Sequence, residues 1–225
     1  MRIRAVLFDA GDTLIRLRGD AGSLLLAAAG TLGAPVEPAA AAEVWRRVLT
    51  GAGTPEELAK GRDLSPQRHR AVWTELYARS GADDLTPGLS DALYVRTVDP
   101  ASWEAFPDTG ATLRGLRERG IPVGVLSDTG FDLRPVFDRL ELSPWIDTVA
   151  LSCENGACKP EPRVFRDACA GLGVEPAATL MVGDNPLTDG GAATAGLVVL
   201  LLPAPRATGR RGLRHVLSLV DAAVT

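Results

Sequence analysis

Three polar clusters stand immediately after apolar runs of strand length. Asp9 follows Ile3-Arg4-Ala5-Val6-Leu7-Phe8, Ser127-Asp128 follows Ile121-Pro122-Val123-Gly124-Val125-Leu126, and Gly183-Asp184-Asn185 follows residues 179–182. In open α/β sheets, ligands bind in the crevice beyond the carboxyl ends of the strands. Carboxylates, a hydroxyl and an amide brought to that crevice from distant parts of a chain are groups able to bind and polarise a ligand. One Asp after a strand is ordinarily a loop-initiating residue. Three such clusters in one chain point to a shared site.

The elements that must position them alternate. Residues 3–8, 121–126, 147–151, 179–182 and 197–202 read as buried strands, and 109–119, 132–141, 161–171, 187–195 and 211–222 carry apolar positions at helical spacing. Such alternation predicts an α/β fold, a Rossmann-like and mostly parallel sheet with helices on both faces. Residues 16–104 break the pattern. They are Ala-rich and read as helices at about 21–32, 38–50, 65–80 and 89–97, punctuated by Gly51, Gly53, Pro55, Gly81, Pro87 and Pro100, with no strand signal of similar strength. The expected organisation is a core of residues 1–15 and 105–225, interrupted by a helical insert at 16–104. Around Pro203, Pro205, Gly209 and Gly212 a loop precedes the last helix.

Composition narrows the function classes. The chain has 225 residues, enough for one α/β domain with an insert. Its formal charge is −4 and its basic residues are scattered, which argues against a nucleic-acid partner. Three cysteines, Cys153, Cys158 and Cys169, do not make a disulfide framework and suit a reducing compartment. The apolar start is short and broken by Asp9, unlike a signal peptide, and the run 197–202 is far below membrane-spanning length. The expectation is a cytoplasmic protein with no membrane partner.

The clusters and their surroundings carry a resemblance. Phe8-Asp9-Ala10-Gly11-Asp12-Thr13-Leu14 resembles the haloacid dehalogenase-like signature, a strand followed by Asp-x-Asp-Gly-Thr-Leu. Val125-Leu126-Ser127-Asp128 resembles the second motif of that superfamily, Cys158-Lys159-Pro160-Glu161-Pro162 the third, and Val182 to Asp189 with Gly191-Ala192 and Ala195-Gly196 the fourth. All four occur in the family's order and spacing, and the helical block between the first two resembles the family's small cap. The resemblance implies a phosphohydrolase acting on a small phosphorylated metabolite. Asp9 would attack phosphorus and form an aspartyl phosphate. Mg²⁺ would be held by Asp9, the Gly11 carbonyl and Asp184, with Asp189 as a further carboxylate, in keeping with that ion's preference for hard oxygens. Ser127, with Asp128 beside it, would bind a phosphoryl oxygen, and Lys159 would neutralise its charge. Composition supports Lys159 separately: of 24 basic residues only Lys60 and Lys159 are Lys, and an ammonium is a compact point charge where Arg is a wide fork.

One position departs from the pattern. The family's phosphatases carry a second Asp two residues after the nucleophile, which protonates the leaving group and later activates water. Here Gly11 stands there and Asp12 stands where the family has Gly. General acid–base help is typically worth about 10²–10⁴-fold. Three outcomes follow: Asp12 or a residue of the insert substitutes, the substrate has a good leaving group, or turnover is slow or absent. A 2-haloacid dehalogenase, in which the same Asp attacks carbon without a metal, is the alternative enzyme, and a non-catalytic protein that kept the site's shape is the alternative class. Asp12 reads equally as a turn residue. Arg16 and Arg18 share a face and stand where they would meet an anionic substrate, or are solvated. Cys153 and Cys158 lack the partners of a zinc site. His69, His215, Trp45, Trp73, Trp103 and Trp145 read as packing or surface residues, with Trp45 and Trp73 as candidates for the pocket wall.

Overall fold

The first strand, β1 (Ala5–Phe8), is apolar and buried at every position, as a central strand covered on both faces must be. It lies in the middle of a five-stranded sheet of the computed structural model, which describes residues 2–19, 22–203 and 209–222. The short strands β2 (Ile15–Leu17) and β3 (Trp103–Ala105) come next in the chain. They are followed by β4 (Val123–Ser127), β5 (Thr148–Leu151), β6 (Thr179–Gly183) and β7 (Val198–Leu201). The main sheet runs β5-β4-β1-β6-β7 and every pairing is parallel. Phe8 pairs with Val125 on one side and Val182 on the other, so the chain leaves β1, β4 and β6 at one edge. This is the doubly covered α/β fold expected from the alternation.

The helices are α1 (Ser23–Thr31), α2 (Pro38–Ala52), α3 (Pro55–Ala59), α4 (Pro66–Arg79), α5 (Ala82–Leu85) and α6 (Leu89–Val98) in the insert. The core adds α7 (Thr109–Glu118), α8 (Arg134–Arg139), α9 (Ser152–Asn155), α10 (Pro162–Gly171) and α11 (Arg214–Ala222). Pro opens α2, α3, α4, α8 and α10 within the first turn, where no intrahelical N–H is lost. Thr54 and Ser65 cap α3 and α4 through their side-chain oxygens, each accepting an N–H of the first turn.

Period-two alternation splits the sheet's side chains between two cores. Val6, Phe8, Val125 and Val182 face Leu113, Leu116, Phe137 and Val216 of α7, α8 and α11. Leu7, Leu126 and Met181 face Val164, Phe165 and Cys169 of α10. The insert has a core of its own, with Leu25, Val44, Val48, Tyr77, Leu89 and Leu93.

The structure corrects the sequence reading at several places. The insert is not purely helical. It is entered and left through β2 and β3, which pair antiparallel with Arg16 opposite Glu104 and Leu17 opposite Trp103. Three-residue strands are too short to show a period, and their pairing partner lies far along the chain. Residues 187–195 do not form an α-helix but a 3-10 turn, Asp189–Ala195, since Gly190 and Gly191 weaken a helix and the Gly191 backbone lies against Pro160. Of the loop expected between Pro203 and Gly212, residues 204–208 lie outside the described residues.

Candidate active site

Asp9 caps the carboxyl end of β1, with its backbone N–H donated to Val182 O at 2.9 Å. Its carboxylate Oδ1 accepts the Lys159 ammonium at 2.6 Å. The same Nζ donates to Asp189 Oδ1 at 2.6 Å, and the Lys159 backbone N–H donates to Asp128 Oδ1 at 3.1 Å. Carboxylates that follow β1, β4 and β6 thus meet at Lys159, two of them on its ammonium and one on its backbone N–H. Asp9, Lys159 and Asp189 are all buried, at 8%, 5% and 1% exposure. Burial raises the Asp9 carboxyl, against the pull of Lys159. Burial works against the charge on Lys159 as well, but Asp9, Asp189 and Asp128 more than offset it and hold the ammonium protonated.

Asp189 is fully engaged. Its Oδ1 accepts Lys159, and its Oδ2 accepts the backbone N–H of Asp184 and of Asn185, each at 3.0 Å. Gly183 makes this possible, because a Cβ there would stand 2.2 Å from Asp189 Oδ2. A carboxylate so occupied shapes the loop and orients the lysine. Asp184 differs: it is half-buried, and its carboxyl is raised by burial and by the carboxylates of Asp12 and Asp189. Carboxylate oxygens of Asp9, Asp184 and Asp189 lie within 4.8 Å of one another, the one group of this kind among the described residues.

Above Asp9 is a cavity of about 290 Å³ between the sheet edge and the insert. The core contributes Asp9, Gly11, Ser127, Asp128, Thr129 and Phe131 to its wall; the insert contributes Trp45, Arg62, Asp63, His69, Trp73 and Tyr77. Trp45 and Trp73 therefore do line the pocket. His69 is buried, and its Nδ1 lies 3.0 Å from the Tyr94 hydroxyl. Burial lowers its imidazole to about 4, so it is neutral near pH 7.

Some expected participants stand elsewhere. Arg16 does not line the cavity: its Nε donates to Glu104 Oε1 at 2.9 Å, and its guanidinium stacks 5.0 Å from the centre of the Phe106 ring, because the β2–β3 register places these residues opposite each other. Asp12 sits at φ 53 in the turn after β1, its backbone carbonyl accepting from Arg211 Nε, and it too is outside the cavity wall. Its backbone conformation suits a turn Asp. Lys60 binds Glu57 and Glu75 on the insert, far from Lys159 in role. The three cysteines are free thiols. Arg62, Asp63 and Arg211 were not singled out in the sequence. The first two lie on the 3-10 turn Arg62–Leu64, and no local pattern distinguishes them from solvated charges.

A family model described as haloacid dehalogenase-like hydrolase matches residues 3–196. The chain belongs to that family. Among curated relatives of this haloacid dehalogenase-like hydrolase, the haloacid dehalogenase-like hydrolase domain-containing protein 3 of Mus musculus is 30% identical over 195 residues, covering 84% of this chain and 77% of that one. A glyceraldehyde 3-phosphate phosphatase of Methanopyrus kandleri is 33% identical over 205 residues, covering 88% and 83%. Among solved structures, a dehalogenase superposes with a TM-score of 0.68 at 23% identity, covering 96% of each chain. A phosphatase of the same superfamily from Thermococcus onnurineus superposes with a TM-score of 0.61 at 25% identity, covering 97% and 98%. The haloacid dehalogenase-like fold thus extends over nearly the whole chain, and the acidic cluster lies at the carboxyl edge of its sheet.

Proposed function

We propose that the protein is a Mg²⁺-dependent phosphohydrolase acting on a small phosphorylated metabolite through an aspartyl phosphate on Asp9. The observation that carries this reading is Asp184. Its carboxylate stands beside that of Asp9, within the 4.8 Å cluster, while Asp189 is already satisfied by hydrogen bonds. A half-buried carboxylate that makes no side-chain hydrogen bond among the described residues, next to the proposed nucleophile, suits a hard cation. The donors that would hold Mg²⁺ are Asp9, Asp184 and the Gly11 carbonyl. Bound there, the ion would offset negative charge on the phosphoryl oxygens.

The chain's own groups do the rest. Asp9 has one oxygen bonded to Lys159 and attacks phosphorus with its carboxylate. Lys159, fixed by two carboxylates and held charged, neutralises a phosphoryl oxygen without reorganising. Ser127 at the end of β4 donates its hydroxyl to another oxygen. The helical insert acts as a cap that encloses the substrate and limits water. Relatives named as phosphatases support the reading. The relative named (S)-2-haloacid dehalogenase 4A and the absence of an acid at Gly11 favour the rival enzyme.

Phosphate release from 4-nitrophenyl phosphate and chloride release from 2-chloropropionate, each with Mg²⁺ and with EDTA, separate the two. The expected result is phosphate release that EDTA abolishes, with no chloride. Chloride release unaffected by EDTA would replace the phosphatase with the dehalogenase.

A further inference from the structure

Besides Arg62, the cavity wall carries five side chains able to exchange a proton: Asp9, Asp63, His69, Tyr77 and Asp128. None sits two residues past the nucleophile, where Gly11 lies. Four have other engagements. Asp9 is bonded to Lys159 and reserved for phosphorus. Asp128 accepts the Lys159 backbone N–H. The Tyr77 hydroxyl is bonded to Thr97 Oγ1 at 2.9 Å, and burial pushes it far above the working range. His69 is neutral and tied to Tyr94.

Asp63 remains. Its backbone is fixed to the core: Ser152 Oγ donates to Asp63 O at 2.6 Å and accepts the Thr129 N–H at 2.9 Å. Its carboxylate is held by one long hydrogen bond, Oδ2 accepting from Arg62 Nε at 3.4 Å, and its Oδ1 lies 3.8 Å from His69 Nε2. The charged and titratable groups around it are Arg62 on its own turn, His69 on α4, Asp128 after β4 and the Cys158 thiol after α9. Burial raises the carboxyl to about 6, with Arg62 opposing and Asp128 adding to the rise. A group of that strength suits proton transfer near neutral pH.

We propose that Asp63, carried by the helical insert, is the general acid and base of the enzyme in place of the carboxyl missing at Gly11. Its carboxyl gives a proton to the ester oxygen as the bond from that oxygen to phosphorus breaks and the bond from Asp9 to phosphorus forms. The resulting carboxylate takes a proton from the water that attacks the aspartyl phosphate, releasing phosphate and restoring the Asp9 carboxylate. The proposal rests on the phosphatase reading.

The test compares an alkyl ester, glycerol 2-phosphate, with 4-nitrophenyl phosphate, whose leaving group needs little protonation, on the full chain with Mg²⁺. Asp63→Asn is expected to lower kcat/KM for the alkyl ester by about 10²–10⁴-fold, and for the aryl ester by less than about tenfold. In the wild type, kcat/KM for the alkyl ester falls as pH rises through about 6, because the acid must be protonated; Asp63→Asn lacks that limb. Adding Gly11→Asp to Asp63→Asn is expected to restore alkyl turnover, since a Cβ at Gly11 meets no atom within 4 Å. A merely structural role for Asp63 would not be rescued from Gly11. Equal loss on both esters, no loss, or an unchanged pH limb overturns the proposal while leaving the phosphatase reading intact. A wild type that hydrolyses neither ester overturns both.

Discussion

At the residue scale the site is a charge-compensation problem solved by one ammonium. Lys159 reaches Asp9 and Asp189 at 2.6 Å each from a buried position, so removing it strands two carboxylates. Breaking a buried ion pair from one side typically costs about 3–5 kcal/mol. Lys159→Met is therefore expected to lose about that much in urea denaturation near pH 7, and to lose activity with it. The loss should shrink in acid, where the stranded carboxylates protonate. A variant as stable as the wild type at neutral pH would mean that the carboxylates are already neutral. An Arg at the same position does not serve either, because a planar fork does not place one donor between two oxygens. Legibility at this scale followed locality. Asp9, Ser127 and Asp184 stood out because each directly follows its strand, and Lys159 because the chain writes Arg nearly everywhere else. Arg62 and Asp63 did not stand out: they reach the cavity only through the packing of α4 and through the Ser152 bond, which spans 89 positions. The pairing of Arg16 with Glu104 spans 88 and was equally hidden.

At the element scale the contact between insert and core is what completes the cavity. Gly130, on the loop after β4, lies against His69 of α4 so closely that a Cβ would stand 2.1 Å from His69 Cβ. His69 in turn packs beside Phe131, with ring centroids 5.5 Å apart. Gly130→Ala is expected to force the insert away from the sheet edge. Overpacking of this kind typically costs about 1–3 kcal/mol, and here it should appear mainly as a raised KM for substrates that fill the cavity. Unchanged KM and stability would show that the insert moves aside freely. The strand and helix periods announced most elements of this framework, including the alternation that gives the sheet its two faces. The β2–β3 stem and the Arg62–Leu64 turn were not announced, because three residues are shorter than either period and the partners that hold them come from elsewhere in the chain.

At the scale of the whole molecule, the separate cores divide the labour. The cores on the two sheet faces hold the strand ends that present Asp9, Ser127 and Asp184, and the third holds the insert that supplies Trp45, Asp63, His69 and Trp73. No described helix is long and apolar enough to cross a membrane. The catalytic reading depends on both halves meeting over Asp9, and Asp9 can be altered with little change of shape. Asp9→Asn keeps the size of the side chain and removes the carboxylate proposed as the nucleophile, so the direct measurement is Mg²⁺-dependent phosphate release from 4-nitrophenyl phosphate by the wild type and by this variant. The account predicts saturable release by the wild type and none above background by Asp9→Asn. Equal rates from the two proteins would contradict it.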